Sequence, residues 1–203
     1  SVRVCDGMEE SEQQELLAAI PKIDYERIGE RMYVEFVTVS HSAEKSAGDY
    51  AALVSKAKEL GRDLILDCTD VEAAKAGLEA ASGSNVILNG ANESNYSEMS
   101  ALAVSAGCVL GVRSADISAL HDTVAALEAS GNKNLVLDVT GEDIKSTFAN
   151  AVMVRRAALK NSDRTFGYPS IVNVAKLAHG DLHLQAALAA VFTCKYGSIV
   201  VLG

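Results

Sequence analysis

Three short runs constrain this chain more than anything else in it: Asp63-Leu-Ile-Leu-Asp67, Asn85-Val-Ile-Leu-Asn89 and Asn134-Leu-Val-Leu-Asp138. Each holds an apolar stretch too short for a helix and β-branched enough for a strand buried on both faces. Each closes on a carboxylate or an amide. Cys108-Val-Leu-Gly-Val112 falls between the last two. The runs recur at intervals of roughly 22–26 residues with Ala-rich segments between them, and that alternation predicts a parallel sheet.

The segments between the runs carry helical spacing over residues 71–81, 98–105 and 117–129, the last with Ile117, Leu120, Val124 and Leu127 at steps of three and four. Asn95-x-x-Glu98 and Thr140-x-x-Asp143 predict capping boxes, and Gly83, Gly107 and Gly131 sit where helices should end. Outside the repeat, residues 2–5, 32–39, 170–174 and 198–202 read as strands, and residues 11–20, 48–60, 143–159 and 182–195 as helices. Eight strands with seven intervening helices predict an α/β fold, a (β/α)8 TIM-type barrel. A doubly wound open sheet is the alternative, weakened as a nucleotide binder because no GxGxxG or P-loop follows a strand. No eighth helix follows the apolar strand in Tyr196-Gly-Ser-Ile-Val-Val-Leu-Gly203. The expectation is therefore one barrel domain over 1–203 that lacks its last helix and belongs to a longer polypeptide.

Composition narrows the function classes. Aromatic residues make up 5% of the chain and Trp is absent, so the core is Ala, Val, Leu and Ile. A formal net charge of −9 with no basic run argues against a nucleic-acid partner. No apolar run reaches the roughly 20 residues of a membrane span, and no signal-peptide pattern opens the chain, which predicts a cytoplasmic location. Cys5, Cys68, Cys108 and Cys194 are scattered without a CxxC pair, as reduced structural thiols would be rather than the ligands of a zinc site or cluster. His41, His121, His179 and His183 form no metal-ligand pattern; His41 and His179 lie after strands, where they could face a site.

In a barrel the site lies at the C-terminal ends of the strands. The repeat puts Asp67, Asn89 and Asp138 there in one phase, Asn173 in Ile171-Val-Asn-Val174 is a fourth, and Asp6 ends the first strand. Carboxylates and amides together suit a flat heterocycle with N–H donors and carbonyl acceptors. The same residue types also cap helices and satisfy loop amides. Arg155, Arg156 and Lys160 share one helix, either solvating it or binding a partner.

Five ordered stretches resemble the barrel domain of the large (gamma) subunit of the corrinoid/iron–sulfur protein in the acetyl-CoA decarbonylase/synthase system. They are Tyr25-Glu-Arg-Ile-Gly-Glu30, Thr69-Asp-Val-Glu-Ala-Ala-Lys-Ala-Gly-Leu78, Val154-Arg-Arg-Ala-Ala-Leu-Lys160, Phe166-Gly-Tyr-Pro169 and Lys195-Tyr-Gly-Ser-Ile-Val-Val-Leu202. The resemblance implies a cytoplasmic scaffold for methyl transfer on cobalt in the Wood–Ljungdahl pathway of anaerobes, not catalytic alone. It implies partners as well: a second barrel subunit, a cobalamin-binding domain, a methyltransferase and acetyl-CoA synthase. Cobalamin and a [4Fe–4S] cluster belong to the family's other domains, so no cofactor is expected in this chain. The strand-end set is also similar to the pterin site of methyltetrahydrofolate:corrinoid methyltransferases. That similarity implies that Asp67, Asn89 and Asp138 hold a pterin ring, and that Asn173 is the catalytic amide bonding the methyl-bearing nitrogen. Methyltetrahydrofolate would then be the substrate.

Overall fold

Leu64, Ile65 and Leu66 have no exposed surface, as a strand covered on both faces requires. The computed structural model describes residues 1–114 and 116–203, which pack as two compact units, Ser1–Leu88 and Asn89–Gly203. The first unit runs β1 (Val2–Cys5), α1 (Glu10–Ala19), a 3-10 turn (Ile20–Lys22), β2 (Asp24–Arg27), β3 (Glu30–Tyr33), β4 (Phe36–Ser40), α2 (Ala47–Lys58), β5 (Asp63–Asp67) and α3 (Val71–Ala80). Strand β6 (Val86–Ala91) crosses the boundary. The second unit continues with α4 (Tyr96–Ala106), β7 (Val109–Arg113), α5 (Ile117–Ala129), β8 (Leu135–Asp138), α6 (Ile144–Lys160) and a 3-10 turn (Arg164–Phe166). It ends with β9 (Ser170–Asn173), α7 (Val174–Ala178), α8 (Leu182–Lys195) and β10 (Ile199–Val201).

Eight strands form one sheet in the order β1-β4-β5-β6-β7-β8-β9-β10. Pairing is parallel from β1 to β5 and from β7 to β10, as in Val37↔Leu64 and Arg113↔Asp138. The order follows the chain without reversal, whereas a doubly wound sheet has a switch point where it turns back. The fold is therefore of the (β/α)8 TIM type, and the open-sheet alternative is set aside.

Three local expectations are corrected. Residues 32–39 are not one strand: β3 ends at Tyr33 and β4 begins at Phe36. Strand β3 pairs instead with β2 in an exposed antiparallel hairpin, Asp24↔Tyr33 to Arg27↔Glu30, which turns at Ile28-Gly29 with both residues at positive φ. Asn95 makes no side-chain cap to α4; its Oδ1 accepts from Asn92 N at 2.7 Å, inside the preceding loop. Thr140 does not cap α6 either. Asp143 does, in a reciprocal box with Ser146, because the helix starts one turn later than the Thr-x-x-Asp spacing implies. The short helix α7 is an addition that periodicity did not reveal.

Candidate functional site

In the first unit the strand ends bring Asp6, His41 and Asp67 to the C-terminal edge of β1, β4 and β5. Asp6 is 4% exposed. Its Oδ1 accepts from Ser42 N at 2.7 Å, and its Oδ2 lies 2.6 Å from His41 Nδ1. A carboxylate at that distance keeps the imidazole proton on Nδ1 and leaves Nε2 as the other ring function. The His41 ring rests against Tyr50, centroids 5.0 Å apart, and the Tyr50 hydroxyl donates to Val39 O at 2.9 Å. Burial, followed by the nearby Cys68, Asp67, Asp6 and Cys5, pushes the Tyr50 phenol well above its usual value, so it stays a neutral donor. Asp67 Oδ2 accepts from Ser40 Oγ at 3.1 Å, and that hydroxyl accepts from Arg3 Nε at 2.9 Å.

In the second unit Asn89, Asp138 and Asn173 are joined through one hydrogen-bonded chain. Asn89 and Asp138 are each 3% exposed. Asn89 Nδ2 donates to Asp138 Oδ2 at 3.0 Å, and Arg113 Nη2 lies 3.2 Å from the same oxygen. Asp138 Oδ1 accepts from Thr140 N at 3.0 Å. Thr140 Oγ1 in turn accepts from Asn173 N at 2.9 Å. The Asn173 side chain caps α7, accepting from Lys176 N at 3.0 Å. Gly111 makes the room: a Cβ there would fall against Asn89 Oδ1 and 2.9 Å from Asn89 Cα.

Two participants escaped the sequence reading. Arg113 ends β7 in register with Asp138, and Thr140 links Asp138 to Asn173. The other histidines have local roles. His179 ends α7 in the left-handed region, and His121 on α5 lies 3.5 Å from Asp163. His183 begins α8 with its amide bonded to Asp181.

A carboxylate offers about four lone-pair sites, and three donors already converge on Asp138. The arrangement fixes the strand ends. It does not suit an iron–sulfur cluster. Among the described residues no group of three or more His, Cys, Asp or Glu side chains converges as a metal site would. Cys5 and Cys68 are buried, Cys108 is half-buried and Cys194 is exposed. Among the described residues no helix is long and apolar enough to cross a membrane.

Comparison with solved structures supports the fold alone. Dihydropteroate synthase from Thermus thermophilus superposes with a TM-score of 0.70 at 14% identity, over 98% of this chain and 85% of that one. The enzyme from Vibrio fischeri gives 0.69 at 13% identity, over 99% and 86%. Sequence relatives carry more. The corrinoid/iron-sulfur protein large subunit of Moorella thermoacetica is 30% identical over 202 residues, all of this chain and 45% of that protein. The acetyl-CoA decarbonylase/synthase complex subunit gamma of Methanothermobacter thermautotrophicus is 32% identical over 197 residues, 90% of this chain and 42% of that protein. This chain spans less than half the length of either relative. The family model described as CO dehydrogenase/acetyl-CoA synthase delta subunit matches residues 1–203 in full. The chain therefore belongs to the CO dehydrogenase/acetyl-CoA synthase delta-subunit family.

Proposed function

We propose that this barrel is the scaffold of a corrinoid methyl carrier in acetyl-CoA synthesis or cleavage, part of a longer polypeptide whose other domains hold the cobalamin and the [4Fe–4S] cluster. Its work is to dock a second barrel subunit and to support a mobile cobalamin domain between a methyltransferase and acetyl-CoA synthase. The single observation that carries the reading is the match of the whole chain to a family whose relatives are named as subunits of such proteins. The geometry is compatible with it. Asp138 takes its hydrogen bonds from Asn89, Arg113 and the Thr140 amide, and Asn173 caps α7, as parts of a frame do. The test is co-assembly: mixed with the corrinoid-bearing polypeptide of the same complex, the chain should elute with it as one species. Separate elution at micromolar concentration would defeat the reading.

A second reading is favoured by the buried polar chain at the strand ends. Buried amide and carboxylate side chains at this edge are the groups that pair with pterin donors and acceptors. In that reading Asn89 and Asp138 hold the ring of a methyltetrahydrofolate, and Asn173 bonds the methyl-bearing nitrogen. Asn173 would have to release Lys176 N to do so. Calorimetric titration with methyltetrahydrofolate separates the two: heat that disappears in Asp138→Ala favours the pterin site, and no heat at millimolar ligand leaves the scaffold.

A further inference from the structure

Charge is unevenly distributed along this acidic chain. Residues 144–203 hold seven Lys or Arg against only Asp163 and Asp181, although the whole chain carries −9. Four of these cations, Arg155, Arg156, Lys160 and Lys195, stand on α6 and α8 of the second unit without a carboxylate within salt-bridge distance among the described residues. Two exposed cations elsewhere reach acids: Arg31 lies 2.6 Å from Asp24 and Lys56 lies 3.1 Å from Glu10. Arg155 Nη1 donates to Lys195 O at 3.3 Å, and Lys195 Nζ lies over the Tyr196 ring at 5.4 Å.

The surface between the cations is apolar. Ile144, Phe148, Val152 and Leu159 recur at helical spacing, so they form one stripe along α6. Ile144, Phe148 and Leu159 are exposed, Leu159 by 69%. Helix α8, Leu-His-Leu-Gln-Ala-Ala-Leu-Ala-Ala-Val-Phe-Thr-Cys-Lys, is apolar on every side, a pattern that belongs to covered helices, yet Leu182 and Val191 are exposed. A groove of about 450 Å³ opens beside the C-terminal ends of α6 and α8, lined by apolar Val154, Ala158, Leu159 and Phe166, by Arg155 and Lys195, and by the hydroxyl side chains of Ser170, Thr193 and Ser198.

We propose that this α6/α8 face docks an acidic amphipathic helix of another polypeptide of the assembly, its leucine-type residues in the groove and its Asp or Glu side chains against Arg155, Arg156, Lys160 and Lys195. A helix laid in a groove by its apolar stripe is a recurrent mode of recognition, and charges at the rim set orientation and encounter rate. A polyanion fits less well. Phosphate contacts need cations that track a backbone, whereas these are interleaved with exposed aliphatic side chains. An anionic membrane would meet the net charge of −9.

The inference rests on the chain being one subunit of an assembly, not on corrinoid or pterin chemistry. The test is zero-length carbodiimide cross-linking of the native assembly, read by peptide mass spectrometry. The expected result joins Lys160 and Lys195 to Asp or Glu of one helical segment in a different polypeptide. Arg155→Glu/Arg156→Glu/Lys160→Glu/Lys195→Glu should then weaken that association at least about tenfold with an unchanged melting curve. Reversing the cross-linked carboxylates to Lys should restore it. Cross-links confined to this chain or to a second copy of it overturn the inference, as does wild-type affinity in the reversed variant. Binding of the wild type, lost in the variant, to phosphatidylglycerol vesicles or to a single-stranded oligonucleotide would also overturn it. Native material with no second polypeptide defeats the subunit reading together with it. A second polypeptide whose carboxylates never reach these lysines defeats this inference alone.

Discussion

Asp138 is the residue on which the second unit's strand ends depend. Its two oxygens receive Asn89 Nδ2, Arg113 Nη2 and Thr140 N, so truncation strands three donors at once. Removing one member of a buried pair costs about 3–5 kcal/mol, and Arg113 can recover part of that in water because a third of its side chain is exposed. Asp138→Ala should therefore lower the unfolding free energy by about 2–4 kcal/mol in urea titration, and Asp138→Asn by less. A loss under about 0.5 kcal/mol would mean the network does not hold the strands. Gly111→Ala tests the same place from the opposite strand. Its new methyl meets the Asn89 backbone, which does not yield, and a cost of about 1–3 kcal/mol follows. In the first unit, burial pushes the Cys68 thiol from 9.0 up to about 12, against a hydrogen bond to the Asp70 backbone that lowers it and with smaller upward contributions from the charges of Asp70, Asp67 and Asp6. A raised folded-state value means that stability is full below pH 9 and declines as the unfolded thiol ionises while the folded one does not. Thermal melts should begin to fall between about pH 9 and 10, and Cys68→Ala should flatten that fall. Cys68 should resist iodoacetamide at about pH 8 while exposed Cys194 is alkylated.

The hairpin β2–β3 shows how local geometry departs from preference. Ile28 holds φ +54 and is 92% exposed, in a two-residue turn whose mirror-image geometry favours Asn-Gly. A β-branched residue in the left-handed region costs roughly 1–2 kcal/mol. Ile28→Asn should raise the protection of the β2 and β3 amides in hydrogen exchange by about tenfold; equal protection would mean the turn is unstrained. The same hairpin marks where the sequence misleads. Met32 and Tyr33 share the apolar character of Phe36 to Val39, and nothing in periodicity separates an exposed pair from a buried one. The β5, β6 and β8 runs were legible because burial on both faces leaves no polar position inside them. Arg113 was not, for a reason of register. The repeat aligns Val112 with Asp138, but β7 is displaced by one residue and pairs Arg113 there. In a strand one step exchanges the faces, so an error of one hides a site residue completely. Asn173 was legible as a strand end, while its capping of α7 depends on a helix of five residues too short for a periodic signal.

At the scale of the whole molecule, the fold class follows from strand–helix alternation, while the proposed function rests on likeness to longer relatives. The relatives in Moorella thermoacetica and Methanothermobacter thermautotrophicus are more than twice as long as the region matched. A scaffold needs surfaces more than reactive groups, which agrees with strand-end side chains that bond one another and with a basic α6/α8 face bearing exposed apolar residues on an acidic chain. The most direct measurement of the scaffold reading is sedimentation velocity of the chain mixed with the corrinoid-bearing polypeptide of its complex, followed at the corrin absorption band. A corrin boundary that moves faster when the chain is added, and is unchanged by methyltetrahydrofolate, is the predicted result. A corrin boundary that ignores the chain at micromolar concentration, beside a chain that binds methyltetrahydrofolate by itself, would contradict it.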